Sequence, residues 1–160
     1  MNLLFKVLHA SYCRSTHHKL ALDSLRHLMG PNAKPWRNML LSQYKPYLDG
    51  SKAPDNSFKD FQNHVLHVKQ NYWGGAATEA EKWYRATVLA FREENWMRGA
   101  FNAGVLSHYV VDPIMPLHTG SSKRENDLHR AIEWSICKSY DSIRKQIGGY
   151  PLIEAGKGPD

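Results

Sequence analysis

Apolar residues in this chain recur at spacings of three and four, and alternating β-branched runs are absent. That periodicity specifies helices and leaves almost nothing from which to build a sheet. The expected fold is all-α, a compact bundle of five or six helices. Ser15 or Thr16 can cap a helix running to about His27, with Leu20, Leu25 and Leu28 inward and Gly30-Pro31 as its stop. A second helix is expected over 36–47. The Gly, Pro, Asp and Asn content of 48–56 predicts a loop, and a further helix is expected over 58–70. After Gly74-Gly75, Thr78 should cap a long amphipathic helix reaching Glu94. Another should run over 96–111 until Pro113 and Pro116 stop it. A last helix is expected over 124–147, ended by Gly148-Gly149. No internal repeat or linker interrupts the chain, so residues 1–160 read as one domain.

With 160 residues, 42% of them apolar, the chain can bury a core and is not disordered in composition. The formal net charge is +6, and the excess lies at the front, where residues 1–50 carry seven Lys/Arg against two acids. Such a front suits an anionic substrate or an anionic membrane surface as well as a generic basic face. No run is long and apolar enough to span a bilayer. Lys6 and His9 interrupt the short apolar opening, which reads as the start of the domain. A cytoplasmic location is slightly favoured on that ground, with secretion as the alternative. Cys13 and Cys137 form no CxxC pair and read as two buried free thiols.

Nine histidines are many for this length, and their placement carries the chemistry. His108 and Asp112 are four apart on one expected helix, and His129 and Glu133 four apart on another. Each pair therefore lies on one helical face and can offer a nitrogen and an oxygen to one ion. His118 stands between them in the proline-bounded PIMPLH. Zinc takes imidazole and carboxylate ligands readily. The small, apolar run before His108 turns it inward, where a buried His and Asp need partners. A metal is one answer and a His–Asp hydrogen bond the other. Upstream lie His17-His18, Asp55 in APDN, and His64 and His67 in FQNHVLHV, each weak by itself. Phe58, Phe61, Tyr72 and Trp73 could line an apolar pocket, but core packing is the simpler role. Trp83, Trp96, Trp134 and Tyr109 likewise read as packing residues.

The run SHYVVDPIMPLH, with HRAIEW further on, resembles the signature of the zinc-dependent phospholipases C. THHKLALDSL is similar to that family's first helix and Pro54-Asp55 to its acidic loop. The resemblance covers roughly 13–140. It implies an all-α bundle of the phospholipase C and zinc nuclease type, and a phosphoester hydrolase with two or three zinc ions. Residue by residue, it implies His108 and Asp112 on one ion with His67 as third ligand, His64 being the alternate. His118, His129 and Glu133 would hold a second ion. His17, with His18 as alternate, and the shared Asp112 would help hold a third. Asp55 would orient or deprotonate the attacking water. The implied substrate is a phosphate ester, first a phospholipid. Nuclease or nucleotidase action and a non-catalytic zinc-stabilised helical domain are the alternatives. The departure is at the front. Secreted members can ligate metal with the mature N-terminal residue, and here about a dozen residues precede the matching helix. Unless the chain is processed near Cys13, that ligand is missing.

Overall fold

The computed structural model describes residues 3–119 and 123–146. Among them are seven α-helices and no strand. They are α1 (Leu3–Ser11), α2 (Thr16–Ser24), α3 (Ala33–Ser42), α4 (Tyr44–Ala53), α5 (Ala76–Arg92), α6 (Trp96–Val111) and α7 (Lys123–Gln146). Short 3-10 and π turns join several of them. No described helix is long and apolar enough to cross a membrane.

α6 is the central element. Ala100, Gly104, Val105, His108 and Tyr109 are all buried, and α4 and α5 pack on it more extensively than any other pair of helices. A helix that buries residues on several faces belongs in a core. A larger apolar cluster at the other side joins Phe5 and Leu8 of α1, Ala21 and Leu22 of α2, Leu41 of α3 and Tyr47 and Leu48 of α4. Each fully buried leucine there contributes about 1.5–3 kcal/mol.

Five expectations need correction. The loop expected over 48–56 is mostly helix, because α4 continues to Ala53 and buries Leu48, Gly50, Ser51 and Ala53. Glycine weakens an isolated helix, but here it removes a steric obstacle. A Cβ at Gly50 would collide with the Phe101 carbonyl, and one at Gly104 with the Tyr47 carbonyl. The two glycines thus set how closely α4 and α6 approach.

The helix expected over 58–70 does not form. The π turn Pro54–Phe58 ends at Lys59, in the left-handed region with φ 51°. The Leu66 amide then donates to the His118 carbonyl (3.0 Å) and the His67 amide to the Trp73 carbonyl (2.7 Å). Those donors are lost to any local helix. Asp60 and Asn63 bond each other side chain to side chain (2.7 Å), a local alternative of the kind that disfavours helix. Only Val68–Gln70 makes a 3-10 turn in this stretch.

The expected helix 36–47 is two helices, broken at Gln43 (φ −105°, ψ 32°). α5 starts at Ala76 with Gly75 at its cap position, ahead of Thr78. Of the two cap candidates for α2, Ser15 serves, its hydroxyl accepting the His18 amide at 3.2 Å. Trp134 does not pack inward but is 66% exposed, with Lys138 over its ring.

Candidate metal centre

The C-terminal end of α6 delivers His108 and Asp112 to the middle of the molecule, both buried. His108 Nδ1 lies 3.0 Å from the Ser51 carbonyl of α4. Donating its proton there leaves the Nε2 lone pair pointing at the site, the usual arrangement of a ligand histidine. Nε2 stands 3.1 Å from Asp112 Oδ2, 3.4 Å from His64 Nδ1 and 3.6 Å from Asp55 Oδ1. His64 Nδ1 is in turn 3.2 Å from Asp112 Oδ2 and 3.5 Å from Asp55 Oδ1.

These separations suit one ion. Ligand atoms about 2.0–2.2 Å from a tetrahedral zinc stand about 3.4 Å from one another, and the five distances run from 3.1 to 3.6 Å. Hydrogen bonding accounts for the Asp112 contacts but not for Asp55 Oδ1, beyond ordinary reach of both rings. Asp55, His64, His108 and Asp112 form one group that could hold a metal, and His118, His129 and Glu133 form a second.

In the second group, His129 Nε2 and Glu133 Oε1 meet at 2.9 Å across one turn of α7. His118 comes from the 3-10 turn Pro116–His118, the same turn that accepts the Leu66 amide. Its Nε2 is buried without a hydrogen-bond partner, 3.9 Å from both Glu133 Oε1 and Asp112 Oδ2. That gap is too wide for a hydrogen bond and still within the span of two ligands to one ion. An orphaned buried imidazole nitrogen is costly unless something fills the gap.

His17 Nε2 lies 3.4 Å from Asp112 Oδ1 and 3.6 Å from Asp55 Oδ2. Each aspartate therefore turns one oxygen to His64 and His108 and the other to His17. His18 faces away, its Nδ1 accepting the Arg14 amide at 3.3 Å. His67 also faces away, with Nδ1 3.0 Å from Gln70 Oε1 and its ring against Trp73. The place expected for His67 holds His64 instead. The His67 amide is bonded to the Trp73 carbonyl and its ring is held by Gln70 and Trp73, so His64 is the ring that meets His108 and Asp112.

The electrostatics follow from this crowding. Burial opposes the Asp112 charge, but His108, His64 and His17 outweigh it and hold the carboxyl far below the usual range. Burial also opposes protonation of His108, and the Asp112 contact outweighs it, so its pKa is raised. For His17 burial wins and the pKa falls. Glu133 is held low, against burial, by His118 and His129 beside it. The carboxylates are thus ionised and available to a cation.

Next to the first group an open cleft of about 810 Å³ is lined by Phe58, Phe61, Trp83, Tyr109, Lys59 and Lys82, among others. Phe58 and Phe61 are exposed there rather than packed in a core, and Tyr72 and Trp73 are exposed as well. Phe58 stacks on Trp83 with ring centres 5.6 Å apart. Tyr109, as expected, is buried, and its hydroxyl donates to Asp60 at 2.6 Å. Sequence reading had no signal for the Ser51 carbonyl, since any residue type could supply it.

A family model described as zinc dependent phospholipase C matches residues 16–151. No curated protein matches the chain, and no solved structure does.

Proposed function

The chain belongs to the zinc-dependent phospholipase C family, and on that premise we propose that it hydrolyses the phosphodiester of a phospholipid at a di- or tri-zinc centre. The observation that carries this reading is the meeting of His64, His108 and Asp112 at 3.1–3.4 Å, with Asp55 3.5–3.6 Å from both rings and the orphaned His118 Nε2 3.9 Å from Asp112. Zinc bound there would neutralise phosphoryl oxygens and lower the pKa of a water to about 7.

The protein's own residues do the rest. His64, His108 and Asp112 hold the first position, and His118, His129 and Glu133 the second. His17 faces the second oxygens of Asp112 and Asp55 and would help hold a third. The Ser51 carbonyl fixes the His108 ring and tautomer. Asp55 takes the proton of the attacking water. It is the most solvent-accessible member of the first group, with 32% of its side chain exposed against 4% for Asp112, so it can pass a proton outward. The cleft beside Tyr109 gives the ester a place to lie, with Lys59 at its rim and Lys82 paired with Glu79.

The test is metal content per chain on protein purified without added metal. It is paired with hydrolysis of phospholipid and of single-stranded nucleic acid, before and after chelation. Two or three zinc ions with chelator-sensitive release of phosphorylated headgroup supports the proposal. Cleavage of nucleic acid alone moves the function to a nuclease. Tight zinc without any hydrolysis reduces the site to a structural one.

A further inference from the structure

α1 precedes the residues that the family model covers. Phe5 and Leu8 are buried, while Leu3, Leu4 and Val7 are 74%, 43% and 48% exposed. At about 100° per residue the helix surface divides into three strips. Phe5 and Leu8 face the core, His9 and Lys6 come next, and Leu3, Val7 and Leu4 face out. Single exposed apolar residues are ordinary, but three adjoining ones on one short helix form a patch.

The middle strip borders a cavity of about 380 Å³ between α1, α2 and α7. Lys6, Lys19, Arg26 and Arg144 line it together with Asp23 and Asp141. Asp23 is buried and already engaged, accepting from the Tyr140 hydroxyl at 3.0 Å and from Arg144 at 3.2 Å, with Arg26 at 3.6 Å. Lys19 donates to the Cys137 carbonyl at 3.0 Å and stands 3.8 Å from Asp141. Four cations against two carboxylates leave a surplus of two positive charges around the cavity. His9, whose pKa burial lowers, adds no charge at neutral pH.

An apolar strip bordered by surplus cations matches the boundary of an anionic bilayer, where side chains enter the acyl region and basic groups meet headgroups. An apolar protein partner would explain the strip but not the cations. We propose that α1 and this cavity dock the protein on an anionic lipid surface, with Leu3, Leu4 and Val7 in the interface and a headgroup phosphate beside Lys6 and Arg26. Glu133 and Arg144 lie eleven residues apart on α7, about 16 Å along the helix. The binding itself does not depend on the hydrolase reading.

The experiment is flotation of the full chain with vesicles of phosphatidylcholine alone and of phosphatidylcholine with about 30 mol% phosphatidylserine. Partitioning should be at least about tenfold stronger on the anionic vesicles and fall steeply with salt. Lys6→Glu with Arg26→Gln should lower it by about tenfold or more, because each basic group near the surface accounts for about fivefold. Gln at 26 keeps a donor for Asp23, and Lys6→Glu alone, on an exposed position, guards against misfolding. Leu3→Ser with Val7→Ser should weaken binding at low salt as well. Hydrolysis of a soluble short-chain phosphodiester should stay unchanged in every variant. Equal flotation on both vesicle types overturns the proposal. So does undiminished binding by a charge variant that melts like the parent. So does a concentration-dependent dimer, abolished by Leu3→Ser with Val7→Ser, without vesicle binding. Anionic-vesicle binding by a chain inactive on every phosphodiester would sink the hydrolase reading and leave the docking intact.

Discussion

Gly104→Ala should damage both the fold and the metal centre, through the backbone alone. The new Cβ would sit 2.8 Å from the Ser51 amide nitrogen, 3.0 Å from the Tyr47 carbonyl carbon and closer still to its oxygen. Ordinary contact begins at about 3.5 Å, so α4 and α6 must part by roughly 0.7 Å or more. No rotamer change relieves a clash between main chains. We place the cost at about 3 kcal/mol, the upper end for overpacking. In a domain of this size that lowers the melting temperature by about 6–12 °C. Ser51 moves with α4, so the 3.0 Å contact that orients His108 also opens. Asp55, on the turn that follows α4, shifts with it. The assay is urea denaturation of parent, Gly104→Ala and Gly99→Ala, with zinc content measured on each. The three atoms nearest a Cβ at Gly99 all belong to the Phe91 ring, a side chain rather than main chain, so that variant should lose less. If Gly104→Ala stays within about 0.5 kcal/mol of the parent and keeps all its zinc, close main-chain approach does not position this site.

Other expectations are simpler to check. His64→Ala should remove the ion of the first group, whereas His67→Ala should keep zinc content and only loosen the turn to Trp73; elemental analysis of both decides between them. His129→Ala or Glu133→Ala should lose one ion and most hydrolysis, and full metal and activity in both would refute the second group. Chelation should lower the melting temperature, because ions that bind only the folded chain stabilise it by mass action; an unchanged melting curve in protein shown to carry zinc would count against a buried site. In metal-free protein, burial lowers the His9 pKa below 6.5. The unfolded chain then takes up the proton more readily, so stability present above pH 6.5 should be lost as pH falls below it. His9→Gln should flatten that slope in pH-dependent melting, and an identical slope would show that His9 does not contribute.

The all-α fold was legible from spacing because helix periodicity is local: the apolar stripes of α6 and α7 identify them without reference to neighbours. The pairs His108/Asp112 and His129/Glu133 were legible for the same reason, since four-residue spacing on a helix fixes relative direction wherever the helix goes. The stretch from Leu48 to Gln70 was not. Gly50 and Pro54 read as loop formers, yet packing on α6 makes a helix up to Ala53. FQNHVLHV reads as helix, yet its amides bond to His118 and Trp73 carbonyls far along the chain. Long-range hydrogen bonds and close backbone approach leave no periodic trace in a sequence. Hence the sequence by itself determined the helical class, the chemistry of the donors and two candidate ligand pairs. Only the tertiary structure decided that His64 rather than His67 turns inward, that Asp55 joins the first group, and that Ser51 steadies His108.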